Sequence, residues 1–501
     1  MPVTTETDSL TRGARLADVT TAILLAVAAW CAVVATRGVF VLNVLILPPP
    51  PLLLVYAAVC VQIARHLLWP RPSILWRVKR AHAAVVARPN VAAALRAFVA
   101  TRPAVFLVAF FAVVTIGLTA KPGFVLSRDP LANLPARFDA GWYGDIALDG
   151  YTWDHTFQRQ RNIAFFPAMP MLMRPVGAAF GMSDRTVPRE RRMLRALWAG
   201  VVISLGAFLW ALYYVTRLGS DLIGPERAAG AALLLAAYPF ALFYNAPYTE
   251  SLFLLGAAGA CYHFIRGEWV AASLWGLLVG LTRPNGCFVS IPLAILGMEQ
   301  LYGGALRLAR DNRSLRTLAS DAQGLPRARP FGAESSGIGV RLLTAAMPGI
   351  GMLLFTAFLY RLTGVWFAWA RSHEAWGRTY QGFGPFVAVF ERLRDEPFLQ
   401  VVTNNPSNSL NALGVLFGLA LIYPVFRRLG PAWGVFVLVN LIPPLFAGGL
   451  LSMGRLSSTL FPLFLALAAV VAPRHVPAWV AVFGIGQGLC AALFFTWREP
   501  Y

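Results

Sequence analysis

Runs of apolar residues close to 20 long recur from one end of the chain to the other, and they constrain its fold more than any other feature. They fall at about 19–36, 50–64, 103–120, 195–216, 227–244 and 250–266. Two short segments follow at 270–282 and 287–299, and further runs lie near 341–362, 409–426, 432–450, 456–472 and 477–496. Roughly 20 helical residues cross about 30 Å of hydrocarbon. Inside that hydrocarbon each backbone N–H and C=O must find its partner within the chain, which favours helices. The expected fold is an all-α polytopic membrane protein with about thirteen transmembrane helices.

Composition agrees. Hydrophobic residues make up 57% of the 501, charged residues only 13%, and mean hydropathy is +0.61. A soluble domain is about 25% charged, so this chain lacks the polar surface to face water. The formal net charge of +20 raises the question of nucleic acid. Its arginines, however, sit between apolar runs, as expected for membrane loops, and without recognition motifs; no nucleic-acid partner is expected. Cys31, Cys60, Cys261, Cys287 and Cys490 lie in or beside apolar segments. None has metal-ligand or redox spacing, so they are expected to act as small buried hydrophobes. The polar stretch before the first run lacks a small-residue cleavage site and is expected to be a cytosolic tail.

Loop charge sets the orientation. Residues 65–102 carry Arg65, Arg71, Arg77, Lys79, Arg80, Arg88, Arg96 and Arg102 without one acid. Such a loop is cytosolic by the positive-inside rule. Residues 301–340 also lean basic. Both face the cytosol only if the segments between 270 and 299 form an out-and-back hairpin, with non-helical backbone at its tip shielded by protein. Residues 121–194 and 363–408 then lie outside. Four polar clusters share that external face, at 137–167, 245–250, 282–286 and 372–378, together with the Ser452 to Arg455 turn.

The leading cluster runs from Arg137 through Asp139, Trp142, Tyr143, Asp145 and Asp149 to Tyr151. Helical spacing puts Trp142, Asp145 and Asp149 on one side, opposite Tyr143 and Ala147, as in a helix lying at headgroup depth. Its carboxylates either simply meet water or serve chemistry. Moving a sugar from a lipid phosphate requires a base for the acceptor hydroxyl, and a carboxylate ionised at neutral pH can take that proton. The transition state is oxocarbenium-like, and the departing phosphate needs positive charge or a metal. Arg283 and Arg455 are candidates for that charge, with snorkelling to the interface as the alternative. Glu250, in Asn245-Ala-Pro-Tyr-Thr-Glu-Ser251, either pairs with Arg283 or an acceptor or is a first-turn helix acid. His155 and His373 are expected in structural or substrate-contact roles.

These residues carry a resemblance. Phe138-Asp139-x-x-Trp142-Tyr143-x-x-Ile146-Ala147-x-x-Gly150-Tyr151, then Ala164-Phe-Phe-Pro167, resembles the first-loop signature of the PIG-V mannosyltransferases. Pro247 to Ser251, followed by Leu281-Thr-Arg283-Pro-Asn285-Gly286, resembles a second signature, in which the family usually has Ser at the position of Pro284. His373 to Arg378, and Met453-Gly-Arg455 through Pro462, resemble later ones. The resemblance covers roughly residues 103 to 472 and implies a C-type glycosyltransferase fold with a large first catalytic external loop. Residues 1–102 are then a cytosolic tail, two extra helices and a basic loop, ahead of a glycosyltransferase core at 103–501.

The resemblance also implies a function. A mannosyl residue would pass from a polyprenyl-phosphate donor to an extracytoplasmic acceptor, with inversion and with Asp139 as base. Trp142, Tyr143, Glu250, Arg283, Asn285, His373 and Arg455 would bind substrate, at the cell membrane. No metal ligands are assigned, and dependence on a divalent cation stays open. The Ala- and Arg-rich composition suggests a bacterial source, where GPI anchors are generally not made, so the acceptor is a glycolipid, a polysaccharide or a protein. Two other readings compete. A transporter or flippase for a lipid-linked sugar would also use broken helices and an intramembrane arginine, but the polar groups crowd one face instead of the midplane. A non-catalytic subunit would have little use for Asp139, Glu250 and Arg283 together.

Overall fold

The structure, a computed structural model, describes residues 12–34, 39–41, 44–46, 51–69, 83–301, 337–380 and 382–499. Nearly all of the expected basic loop 301–340 and residues 70–82 lie outside the described residues. Apart from one antiparallel pair, Val39–Val41 with Val44–Ile46, the described elements are helices. A helix stands at every expected apolar run. Far fewer are full spans. Among the described residues six helices are long and apolar enough to cross a bilayer: Pro89–Thr115, Arg189–Ile223, Ile338–Thr363, Pro406–Arg428, Pro431–Gly448 and Pro473–Phe495. Pro225–Ala237 and Pro239–Asn245 make a seventh if their 79° bend is taken as a break in one span. Leu53–Leu68, Glu250–Ile265, Trp269–Gly280 and Phe461–Val470 are apolar but shorter. The expected count of about thirteen full spans is therefore not reached among the described residues.

Exposure follows the membrane solvent. Leu107, Phe111, Leu343, Leu354 and Ile485 stand exposed on long apolar helices, as lipid-facing side chains do and a water-facing surface would not tolerate. Glu250–Ile265 and Phe461–Val470 are instead buried on nearly every side. A helix apolar all round belongs inside, and these two form the centre of the bundle.

The chain divides into two compact units, Met1–Ala92 with Ala178–Gly181, and Ala93–Gly177 with Met182–Tyr501. In the first unit, Arg12–Val34 and Pro51–Leu68 carry a polar seam. Gln62 donates to Asp18 (3.1 Å) and Thr21 (2.9 Å), and the Arg65 guanidinium lies 3.4 Å from Asp18. Arg65 is thus a helix residue, not a loop residue as expected. Cys60, expected buried, is exposed, whereas Cys261 and Cys490 are buried.

Arg102 is a second correction. The helix beginning at Pro89 runs past it, so it lies inside the bundle and is 1% exposed. The helix break after Ala237 frees backbone carbonyls that no water can reach. Arg102 donates to the Ala241 carbonyl (2.6 Å), the Ala236 carbonyl and the Asn245 side chain (2.7 Å). Gln487 donates to Ala236 (3.0 Å) and Tyr238 (2.9 Å). Irregular backbone survives at membrane depth when protein groups satisfy it in this way.

The two short segments between 270 and 299 are the helices Trp269–Gly280 and 290–301, joined by a turn at Pro284–Val289. The turn folds back tightly. A Cβ at Gly286 would sit 2.1 Å from the Val279 carbonyl oxygen, and one at Gly280 would sit 2.0 Å from that of Pro348. Only glycine allows these approaches.

Candidate active site

The loop before Asp139 is fixed by Arg137. Its buried guanidinium donates to the Phe495 carbonyl and to those of Asn133 and Ala136, all at 2.7 Å. Loss of water lowers its pKa to about 10. Phe138 follows in the left-handed region, at φ 44, with its ring 4.6 Å from Trp497 and 5.5 Å from Phe494. Asp139 then takes the N-cap position of the helix Ala140–Asp149. An aspartate there usually accepts a bond from the first-turn amides. This one makes no such bond. Its Oδ2 instead accepts from Arg455 Nη1 at 2.8 Å. Its backbone N–H donates to the Tyr248 hydroxyl (3.0 Å), which donates in turn to the Arg137 carbonyl (3.2 Å). The Asp139 side chain is 25% exposed, and Oδ1 has no hydrogen bond among the described residues. One oxygen is anchored and the other is open.

Glu250 lies beneath, 0% exposed, as the first residue of Glu250–Ile265. Its Oε1 accepts from Arg283 Nη2 at 2.6 Å and from Arg455 Nε. Thr249 Oγ1 accepts a further bond from Arg283 Nη2 (2.8 Å). Arg455 also stands over the rings of Tyr248 (4.7 Å) and Phe243 (5.5 Å). Of the readings open for Glu250, the structure displays the ion pair, and at the first helical turn as well. The chain Asp139–Arg455–Glu250–Arg283 joins four distant stretches of sequence and sums to no net charge. Removing one member of such a buried set strands the others, at a cost of about 3–5 kcal/mol.

Above this knot opens a cavity of about 640 Å³. Asp139, Tyr143, Arg283, Asn285, His373 and Arg455 line it. Glu250 and Trp142 do not. Trp142 stacks behind on Phe165 (5.7 Å) and meets Trp376 edge-on (5.9 Å), so its contact with substrate is indirect, through those two rings, which do line the wall. Tyr143 points inward, and burial raises its hydroxyl to about 12. Asn285 Nδ2 donates to Asn440 Oδ1 (3.0 Å). Asp145 and Asp149 both accept from Arg189 Nη2 at 2.7 Å, away from the cavity. His155 also lies outside the lining, beside Trp153.

His373 sits 2.7 Å from the Trp369 carbonyl through Nδ1. A carbonyl only accepts, so Nδ1 carries the proton and Nε2 keeps its lone pair. Burial lowers the imidazole pKa to about 4, and the nearby Arg378 charge adds to the effect. His373 is therefore neutral at pH 7, a weak base suited to orienting a hydroxyl.

Residues not selected from the sequence complete the site. Tyr248, Thr249 and Arg378 lie within the quoted motifs, but residue type alone did not separate them from their neighbours. Phe367 (φ 53) and Ser452 (φ 61) line the cavity with left-handed backbone, as Phe138 does. Such strain concentrates at functional sites. Glu499 also lines the cavity. No local sequence signal marks it, because it arrives there through the folding of the segment after Phe495: Thr119 N–H donates to the Thr496 carbonyl (3.0 Å), and Trp497 packs on Phe138. Among the described residues no three potential metal-ligating side chains come together.

The comparisons with known proteins agree with this arrangement. Residues 111–321 match the family model described as Mannosyltransferase (PIG-V). No curated protein matches the chain. Among solved structures, one similar to it is the oligosaccharyltransferase of Archaeoglobus fulgidus in complex with Zn and sulfate. Identity is 14% and the TM-score 0.37, with 79% of this chain and 53% of that chain covered. The chain spans about half the length of that structure, and so distant a likeness says nothing of the reaction. The family match covers Asp139, Glu250 and Arg283, and by it the chain belongs to the PIG-V mannosyltransferase family and is a membrane glycosyltransferase.

Proposed function

We propose that this protein transfers a mannosyl residue from a polyprenyl-phosphate donor to a hydroxyl of an extracytoplasmic glycolipid, polysaccharide or protein, with inversion at the anomeric carbon. The observation that carries the reading is the Asp139 carboxylate, which declines its helix cap, is held by Arg455 through Oδ2 and keeps Oδ1 open to the cavity. The acceptor oxygen attacks the anomeric carbon as its proton passes to Asp139. The bond from that carbon to the phosphate oxygen breaks, and the phosphate leaves on its lipid with one more negative charge. Fixed positive groups stabilise that charge better in a water-poor cavity than in bulk water. The apolar part of the wall, with Phe288, Met352, Phe367 and Pro443, suits an isoprenoid chain. His373 Nε2 accepts from a sugar hydroxyl. The basic loop 65–102 supports a cytosolic face opposite the site.

Asp139→Asn keeps the size of the side chain and removes its basicity. Mannosyl transfer from a polyprenyl-phosphate-mannose donor to membrane acceptors should fall by on the order of 10²–10⁴-fold, measured as labelled product from purified protein. Transfer at the wild-type rate by folded Asp139→Asn protein would remove the base from the reading.

A further inference from the structure

The cavity holds three guanidinium groups, and they are not equivalent. Arg283 and Arg455 are engaged already: their donors are taken by Glu250, Asp139 and Thr249. Arg378 is different. Among the described residues no carboxylate lies within ion-pair distance of it, and its side chain makes no hydrogen bond. It nonetheless lines the cavity, and its stem runs along Gly448 at the end of Pro431–Gly448, where a Cβ would meet Arg378 Cγ at 3.4 Å. Its backbone is held by a bond from its N–H to the His373 carbonyl (3.2 Å).

We propose that Arg378 is the phosphate-binding group of this site, the guanidinium that receives the phosphate of the lipid carrier. The inference rests on the transfer reading given above and sharpens it. The sequence directed attention to Arg283 and Arg455 as the cations for the leaving group. In the structure those two instead hold Glu250 and fix Asp139. Recruiting either to a phosphate would break a buried pair and strand a carboxylate. Arg378 can accept an anion without any such loss. Its own state is consistent: burial first, then repulsion from Arg455, lowers its pKa to about 10, so an arriving anion relieves a charge the site otherwise holds unmatched. Arginine also presents paired N–H donors that fit two phosphate oxygens at once, which lysine cannot do.

The test is binding, with the full chain in nanodiscs and geranylgeranyl monophosphate as the probe. Geranylgeraniol, inorganic phosphate and phosphatidylglycerol serve as comparison ligands. Wild type should bind the lipid monophosphate well above the alcohol. Arg378→Gln should weaken the monophosphate by roughly 10–100-fold, the worth of hydrogen bonds to a charged group, while binding the alcohol as wild type does. Arg378→Lys should recover part of the loss. Equal loss of monophosphate and alcohol in Arg378→Gln would make the residue merely structural and overturn the proposal. So would a preference for phosphate that survives in Arg378→Gln but disappears in Arg283→Gln. Either result leaves the transfer reading standing. Displacement of the probe by phosphatidylglycerol at equal concentration would assign the site to a bulk-lipid headgroup and overturn the carrier assignment. A wild-type protein that binds monophosphate and alcohol alike would overturn the proposal and weaken the transfer reading, which the Asp139→Asn assay judges separately.

Discussion

At the scale of the residue, the site works by withholding side chains from their ordinary uses. Asp139 stands where an aspartate caps a helix and does not cap it. His373 is an imidazole held neutral by burial, and this has a consequence for stability. In the unfolded chain a histidine titrates near 6.5, whereas in the fold this one titrates at about 4. Between those values the unfolded state binds a proton that the folded state refuses, so stability rises with pH across that window and is lost as pH falls through it. Thermal unfolding followed from pH 7 to pH 4.5 should therefore show a steeper acid loss in wild type than in His373→Asn. Parallel pH slopes would mean that His373 is protonated in the fold. What could be read in advance follows the same line. Asp139, Glu250, Arg283 and Arg455 are charged residues beside apolar runs, where a charge is costly enough to stand out. Tyr248 and Arg378 were harder. A tyrosine near a membrane is common, and an arginine in a long polar loop needs no special account until its partners are known.

At the scale of the element, the decisive feature is a helix that stops midway. The sequence at 227–244 reads as one continuous span, and Pro239 alone does not reveal a 79° bend, because proline kinks many helices that go on as spans. The partner of the bend lay elsewhere. Arg102 was assigned to a cytosolic loop because positive residues near apolar runs usually lie there, yet its donors reach the Ala236 and Ala241 carbonyls across the bundle. The same arginine fixes Asn245, five residues ahead of Glu250, and so joins the bend to the site. Arg102→Leu fills similar space without donors. Each buried carbonyl left alone costs about 1–3 kcal/mol, and the two together should lower the unfolding temperature clearly in nanodiscs. Hydrogen exchange should quicken at residues 236–246 before it does in Arg189–Ile223. A variant with unchanged exchange there would show that Gln487 alone secures the break.

At the scale of the whole molecule, the parity of the helices gathers the chemistry. Asp139, Glu250, Arg283, His373 and Arg455 come from loops and helix ends separated by apolar segments, and the count of crossings sends each polar cluster to the same end of the bundle. That counting was legible although many spans are short, because a short helix that turns back changes sides as surely as a long one. The length of each helix was less legible. Burial among neighbours, as for Glu250–Ile265 and Phe461–Val470, replaces contact with lipid and removes the need for 20 residues. The same parity makes a prediction for the first unit. Its two helices enter and leave, so their removal preserves the orientation of everything after them, and none of the cavity-lining residues belongs to that unit. A chain starting at residue 89 should insert, keep the Asp139–Arg455 pair and retain mannosyl transfer within about tenfold of the full chain. The measurement is labelled product from purified truncated protein, with Asp139→Asn in both lengths as the baseline. If the truncated chain folds but transfers no faster than that baseline, the first unit is part of the catalytic apparatus, by shaping the cavity or delivering a substrate to it.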